Sequence, residues 1–110
     1  HELASAYQAN GQVKEAVRLL EQVVAIRERA LAEDHPDRLH SQHNLAVAYQ
    51  ADGQVAKAVR LLEQVVVIYK QVLAEDHPDR LASQGVLARA YRANEMIEGA
   101  FASHSNNNML

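Results

Sequence analysis

The sequence predicts an all-α solenoid, a stack of antiparallel helix pairs, and three observations carry that expectation. Residues 1–42 are followed by a near-copy at 43–84, in which 31 of 42 positions are identical. A third copy opens at Gly85-Val86-Leu87-Ala88-Arg89-Ala90-Tyr91 and then decays. A fixed period of this size marks a repeat architecture. Apolar residues within each copy recur at helical spacing. The same two breaks, a glycine and an Asp-His-Pro-Asp run, punctuate both full copies at equivalent places.

A short helix is expected over 1–10, with Leu3, Ala4 and Tyr7 on one face and Ala6 in a close contact. Asn10-Gly11 should end it, because glycine adopts the left-handed conformation of helix C-termini without steric cost. A longer helix over 12–33 carries Val13, Ala16, Val17, Leu20, Val23, Val24 and Leu31 on its main stripe. Leu19, Ile26 and Ala30 form a second stripe beside it. Two apolar flanks need neighbours on both sides, which an inner layer of a stack supplies.

Asp34-His35-Pro36-Asp37 interrupts that helix, since proline lacks a donor and pushes the preceding residue out of the helical region. Pro36 and Asp37 also suit the first turn of the next helix. Helices over 38–52 and 54–75 repeat the pair around Gly53, and Asp76-His77-Pro78-Asp79 repeats the break before 80–94. The third copy then departs. Glu95 replaces the turn glycine, Gly99 falls inside the expected helix, and Ala102-Ser103-His104 stands where copy two has Arg60-Leu61-Leu62. Met96, Ile97, Ala100 and Phe101 keep a short apolar face. The array is thus expected over 1–102, as copies 1–42, 43–84 and a degenerate 85–102, followed by a polar, frayed tail at 103–110.

With 110 residues and a net charge of −3, the chain has no field that would draw in nucleic acid. It has no cysteine, hence no disulfide framework, which fits a cytoplasmic location. No apolar run has the length of a membrane span. The pattern begins mid-repeat at His1, so the chain reads as a piece of a longer array.

In the order Leu45-Ala46-x-x-Tyr49, Gly53, Ala58-x-x-x-Leu62 and Pro78, the unit resembles a tetratricopeptide repeat. Leu3-Ala4, Tyr7, Gly11, Ala16, Leu20 and Pro36 repeat the match. It departs from the family pattern in lacking an early tryptophan and in its period of 42 rather than about 34; the extra residues lengthen the second helix. This longer form is similar to kinesin light chain repeats and to the arrays of fungal and bacterial NB-ARC or NACHT signalling proteins. The resemblance implies a right-handed superhelix whose first helices line a concave groove. It implies a protein or peptide partner, and a place within a larger signalling or scaffold protein. The paired asparagines of a kinesin-type groove are incomplete, with His43-Asn44 but His1-Glu2 and Gly85-Val86.

Repetition separates scaffold from candidate site. Glu33-Asp34-His35-Pro36-Asp37 looks like an acid–histidine constellation that could serve as a general base. It recurs intact at 75–79, in a helix break, so the structural reading is preferred. His40-x-x-His43 has the spacing of two metal ligands on a helix. The next copy has Ala82 and Gly85 there and no third ligand is near, so neither metal nor cofactor is expected. No nucleophile–base set, HExxH or phosphate loop occurs, and no enzyme activity is expected.

The first helices do vary at Glu2/Asn44/Val86 and Ser5/Val47/Arg89, three apart and so on one face. His1/His43/Gly85 and Gln8/Gln50/Arg92 adjoin them. The expected partner-binding set is therefore Glu2, Ser5, Gln8, His43, Asn44, Val47, Gln50, Arg89 and Arg92. It runs from acidic and neutral to basic, which suits an extended peptide with a carboxylate toward the third copy. The alternatives are drift on a solvated surface or, for the whole array, a self-associating element stacked end to end. That second alternative places the uncovered apolar edge at Leu3 and Tyr7, near Val17 and Val24.

Overall fold

The computed structural model describes the backbone of residues 2–109 and the side chains of residues 10–99. Four helices follow one another: α1 (Glu2–Ala30), α2 (Pro36–Ala51), α3 (Val55–Val72) and α4 (Pro78–Met109). Each packs on the next through a short connection, and α2 also touches α4. There is no strand among the described residues. The result is an all-α stack of antiparallel helices.

The central pair forms as the sequence predicts. Gly53 has φ +80°, the left-handed region, and closes α2. Its N–H donates to the Gln50 carbonyl at 3.1 Å, and that of Gln54 donates to the Tyr49 carbonyl at 2.8 Å. These two bonds satisfy carbonyls that the helix end would leave orphaned.

The outer pairs differ from expectation. No turn forms at Asn10-Gly11: α1 runs unbroken from Glu2 through it. Glycine permits a left-handed turn but does not impose one, so packing must decide. At the other end Glu95 cannot supply a glycine turn, and α4 continues through it to Met109. The backbone of 103–109, expected to be frayed, is part of that helix; its side chains lie outside the described residues. With α1 and α4 both continuous, the radius of gyration is 16.5 Å, against about 13 Å for a compact globule of this length.

The Asp-His-Pro-Asp break is a capping device. His35 caps α2, its Nδ1 accepting from the Asp37 N–H at 3.0 Å, with Pro36 in the first turn. Arg38 reaches back to the carbonyls of Glu28 (3.0 Å) and Leu31 (3.2 Å) at the end of α1. Copy two repeats the arrangement, with His77 Nδ1 accepting from the Asp79 N–H at 3.1 Å and Arg80 donating to the Leu73 carbonyl at 3.1 Å. One recurring tetrad thus joins the end of one helix to the start of the next. Both histidines spend Nδ1 on the backbone, and this capping bond accounts for their recurrence.

The main core gathers Val17 and Val24 of α1, Leu45, Ala46 and Tyr49 of α2, Ala58, Val59, Leu62 and Val66 of α3, and Leu87 and Ala90 of α4. Val17 and Val24, expected near an uncovered edge, are buried against α2. The exposed stripe of α1 is instead Leu19, Val23 and Ile26, at i, i+4 and i+7 on one helix face.

Candidate functional site

The face shared by α2 and α4 carries most of the positions at which the first helices of the copies differ. Val47, Gln50 and Ala51 of α2 and Val86 and Arg89 of α4 line a shallow depression of about 320 Å³. Val47 and Arg89 are exposed and Gln50 is half-buried. Val86 is buried, so among the varying positions it serves as floor, not as a contact. Arg92 is exposed one turn beyond Arg89, on the same face. Neither arginine makes an ion pair among the described residues. Asn44 is exposed and lines a neighbouring, smaller depression of about 150 Å³. Glu2, Ser5 and Gln8 lie outside the described side chains. Their backbone belongs to continuous α1, with no break at Gly11.

The smaller depression contains a polar clamp that single-repeat reasoning missed. His40 Nε2 meets Asp79 Oδ2 at 3.0 Å, and His43 Nδ1 meets Ser83 Oγ at 2.8 Å. Each histidine of the His40-x-x-His43 pair is therefore satisfied separately from α4, and the pair is a link between adjacent first helices. No cluster of three metal-ligating side chains exists among the described residues. The contacts join residues about one period apart, so neither copy read alone reveals them.

His43 is half-buried, and burial is the main cause that pushes its pKa below the ordinary 6.5. The neighbouring His40 lowers it further, while Asp79 opposes both. The fold thus favours neutral His43. Its contribution to stability is complete above pH 6.5, the value it regains on unfolding, and is lost as pH falls from there through the folded pKa. Acidification below pH 6.5 is expected to lower Tm, and His43→Gln to flatten that slope. Thermal unfolding of both proteins across the acid range checks this; equal slopes would remove His43 as the cause.

A second recurring link ties second helices to the first helix that follows. Tyr49 Oη donates to Glu21 at 2.7 Å, and one repeat later Tyr91 Oη donates to Glu63 at 2.8 Å. Burial first, and Glu21 second, hold the Tyr49 phenol up at about 12, so it remains a donor. The Lys57 ammonium sits 5.5 Å from the centre of the Tyr49 ring, within cation–π range. These residues border an open cleft of about 380 Å³ between α1 and α3, floored by Leu45 and Tyr49. Its walls mix Glu21 and Glu28 with Lys57 and Arg60. The invariance of Tyr and Glu in the repeat reflects this stacking bond.

No helix among the described residues is long and apolar enough to cross a membrane. No curated protein matches the chain. Among solved structures, it is similar to the crystal structure of nearly identical TPR-like repeats of a kinesin light chain candidate from Podosopora anserina. That match is 65% identical, with a TM-score of 0.75, and covers 91% of this chain and 47% of the other. A singly substituted form of the same repeats matches at 63% identity and a TM-score of 0.76, with the same coverage of both chains. The chain thus spans about half the length of these relatives. The family model described as tetratricopeptide repeat matches residues 1–71 and again 42–104, nearly the whole sequence. On that match, and on the stack of helix pairs that the repeated sequence builds, the chain belongs to the tetratricopeptide repeat family and resembles the kinesin light chain type.

Proposed function

We propose that the chain is a protein-interaction module whose α2–α4 face receives an extended peptide or a partner helix. Repeats of this family are in general protein–protein interaction modules on a non-catalytic scaffold. The observation that carries the finer reading is where the residues that vary between first helices lie. Residues identical in both copies, such as Ala46, Leu62 and Val66, fill the core, while Asn44, Val47, Arg89 and Arg92 vary and are exposed on one side. Arg89 and Arg92 give that side its positive end, and a planar guanidinium pairs bidentately with a carboxylate. The favoured ligand is an acidic segment, or a chain end, with its carboxylate over α4. We place the module in the cytoplasm, within a larger signalling or scaffold protein.

Fluorescence anisotropy with a glutamate-rich peptide bearing a free C-terminal carboxylate tests this. Arg89→Glu with Arg92→Glu is expected to weaken binding on the order of a hundredfold at low salt and to remove most of its salt dependence. Amidating the peptide should weaken binding to the unmodified protein in the same direction. Unchanged affinity and salt dependence in the double variant would end the proposal.

A further inference from the structure

Between the two Asp-His-Pro-Asp breaks the stack leaves a recess of about 300 Å³. Its lining runs from Asp34 at the first break to Asp79 at the second, so the start of α2, the end of α3 and the breaks themselves border it. Leu39, Val72 and Leu73 make its walls apolar, and Asp34 and Asp79 bring two carboxylates to it. Asp79 gives Oδ2 to His40 at 3.0 Å, while its Oδ1 has no partner among the described residues. Asp34 is exposed and takes part in no ion pair among the described residues.

Tyr69 is the odd member of this lining. It is 3% exposed, yet its hydroxyl makes no hydrogen bond among the described residues, whereas Tyr49 and Tyr91 each donate to a glutamate. A buried phenol ordinarily has a partner. Tyr69 and Asp79 both line the recess and both line the smaller depression on the α2–α4 face, so they stand together between the two. Burial, and then the charge of Asp79, raise the Tyr69 pKa. The phenol therefore keeps its proton, and its oxygen lone pairs are free to accept. Copy one has Arg27 at the position of Tyr69. The Arg27 guanidinium donates to the carbonyl of Asp37, the counterpart of Asp79, at 2.9 Å. Copy one thus brings its own guanidinium to the start of the next helix. In copy two a phenol without a partner stands there instead.

We propose that this recess is a binding site for an arginine side chain of a partner protein. The incoming guanidinium takes up toward α4 the role that Arg27 has toward α2, donating to the free Oδ1 of Asp79 and to Tyr69 Oη. Asp34 adds a second negative charge, and the aliphatic stem lies against Val72 and Leu73. Arginine suits the site better than lysine, because its planar fork can meet a carboxylate and a phenol at once and sheds its weaker hydration at less cost. Neither Arg89 nor Arg92 borders the recess, so the site works independently of the basic end of the α2–α4 groove.

Titration of the 110-residue chain with N-acetylarginine amide, followed through its backbone amide NMR resonances, is the test. Saturable shifts are expected at residues 69–73 and 77–79. N-acetylcitrulline amide has the same shape without the charge and should bind about tenfold more weakly. Asp79→Asn keeps the backbone N–H that His77 accepts from and should weaken the arginine probe by about tenfold as well. Tyr69→Phe keeps the buried ring, removes the hydroxyl alone and should weaken it severalfold. Tyr69→Arg writes the residue of copy one into copy two and is expected to abolish binding, since the site then holds its own guanidinium. Helical circular dichroism checks that each variant is folded. The absence of saturable shifts around the recess would overturn the proposal. So would equal binding of the two probes, or unchanged binding in either Asp79→Asn or Tyr69→Phe.

Discussion

Leu62→Ala is expected to lower the unfolding free energy by about 3 kcal/mol, whereas Leu20→Ala, the same change one repeat earlier, costs about 1.5 kcal/mol. The two leucines occupy identical positions in the repeat. Leu62 is fully buried, on a helix held between α2 and α4, so truncation leaves a cavity its neighbours cannot collapse into. Leu20 lies on α1, which has α2 on one side only, and is half-buried. Its loss removes less apolar area, and the open side relaxes. Urea denaturation of both variants, in dilute solution so that any association is suppressed, gives the comparison. Equal costs would mean that α1 is covered in solution in a way this stack does not provide.

The second expected result is a pair of opposite signs. Gly53→Ala is expected to destabilise by about 1–2 kcal/mol, because φ +80° at that position forces a Cβ toward its own carbonyl. No neighbouring atom lies within 4 Å of the added Cβ, so the cost is conformational, without a steric clash. Gly11→Ala, the equivalent change in copy one, is expected to stabilise by about 0.8 kcal/mol. Gly11 lies within continuous α1, also with nothing within 4 Å of an added Cβ, and alanine is the better helix former. Denaturant midpoints at constant m-value decide this. Destabilisation by both would mean that residues 1–11 fold back in solution as the repeat pattern first suggests.

The sequence made much of this protein legible. A helix period inside a 42-residue repeat requires stacked helices, since no single unit can bury both apolar flanks of its second helix. The role of Asp34-His35-Pro36-Asp37 as a helix break followed from proline chemistry alone, although the cap itself is the imidazole of His35. The candidate site was legible to a lesser degree. Variation between copies singled out Val47, Gln50 and Arg89, which share one depression. It also included Val86, which is buried, because a changed residue and an exposed one look alike in a sequence.

Three features were decided by the tertiary structure alone. The His40–Asp79 and His43–Ser83 links join residues 39 and 40 positions apart, from helices that meet only after the stack has formed. The placement of Val17 and Val24 in the core, and of Val23 and Ile26 on the surface, depended on which side of α1 received a neighbour. Most plainly, Gly11 and Gly53 occupy the same position in near-identical repeats, and only Gly53 makes a turn. The local sequence there sets what the backbone can do at little cost. Whether it turns depends on long-range contacts that reward turning, such as the one Leu39 makes with Val65 for α2.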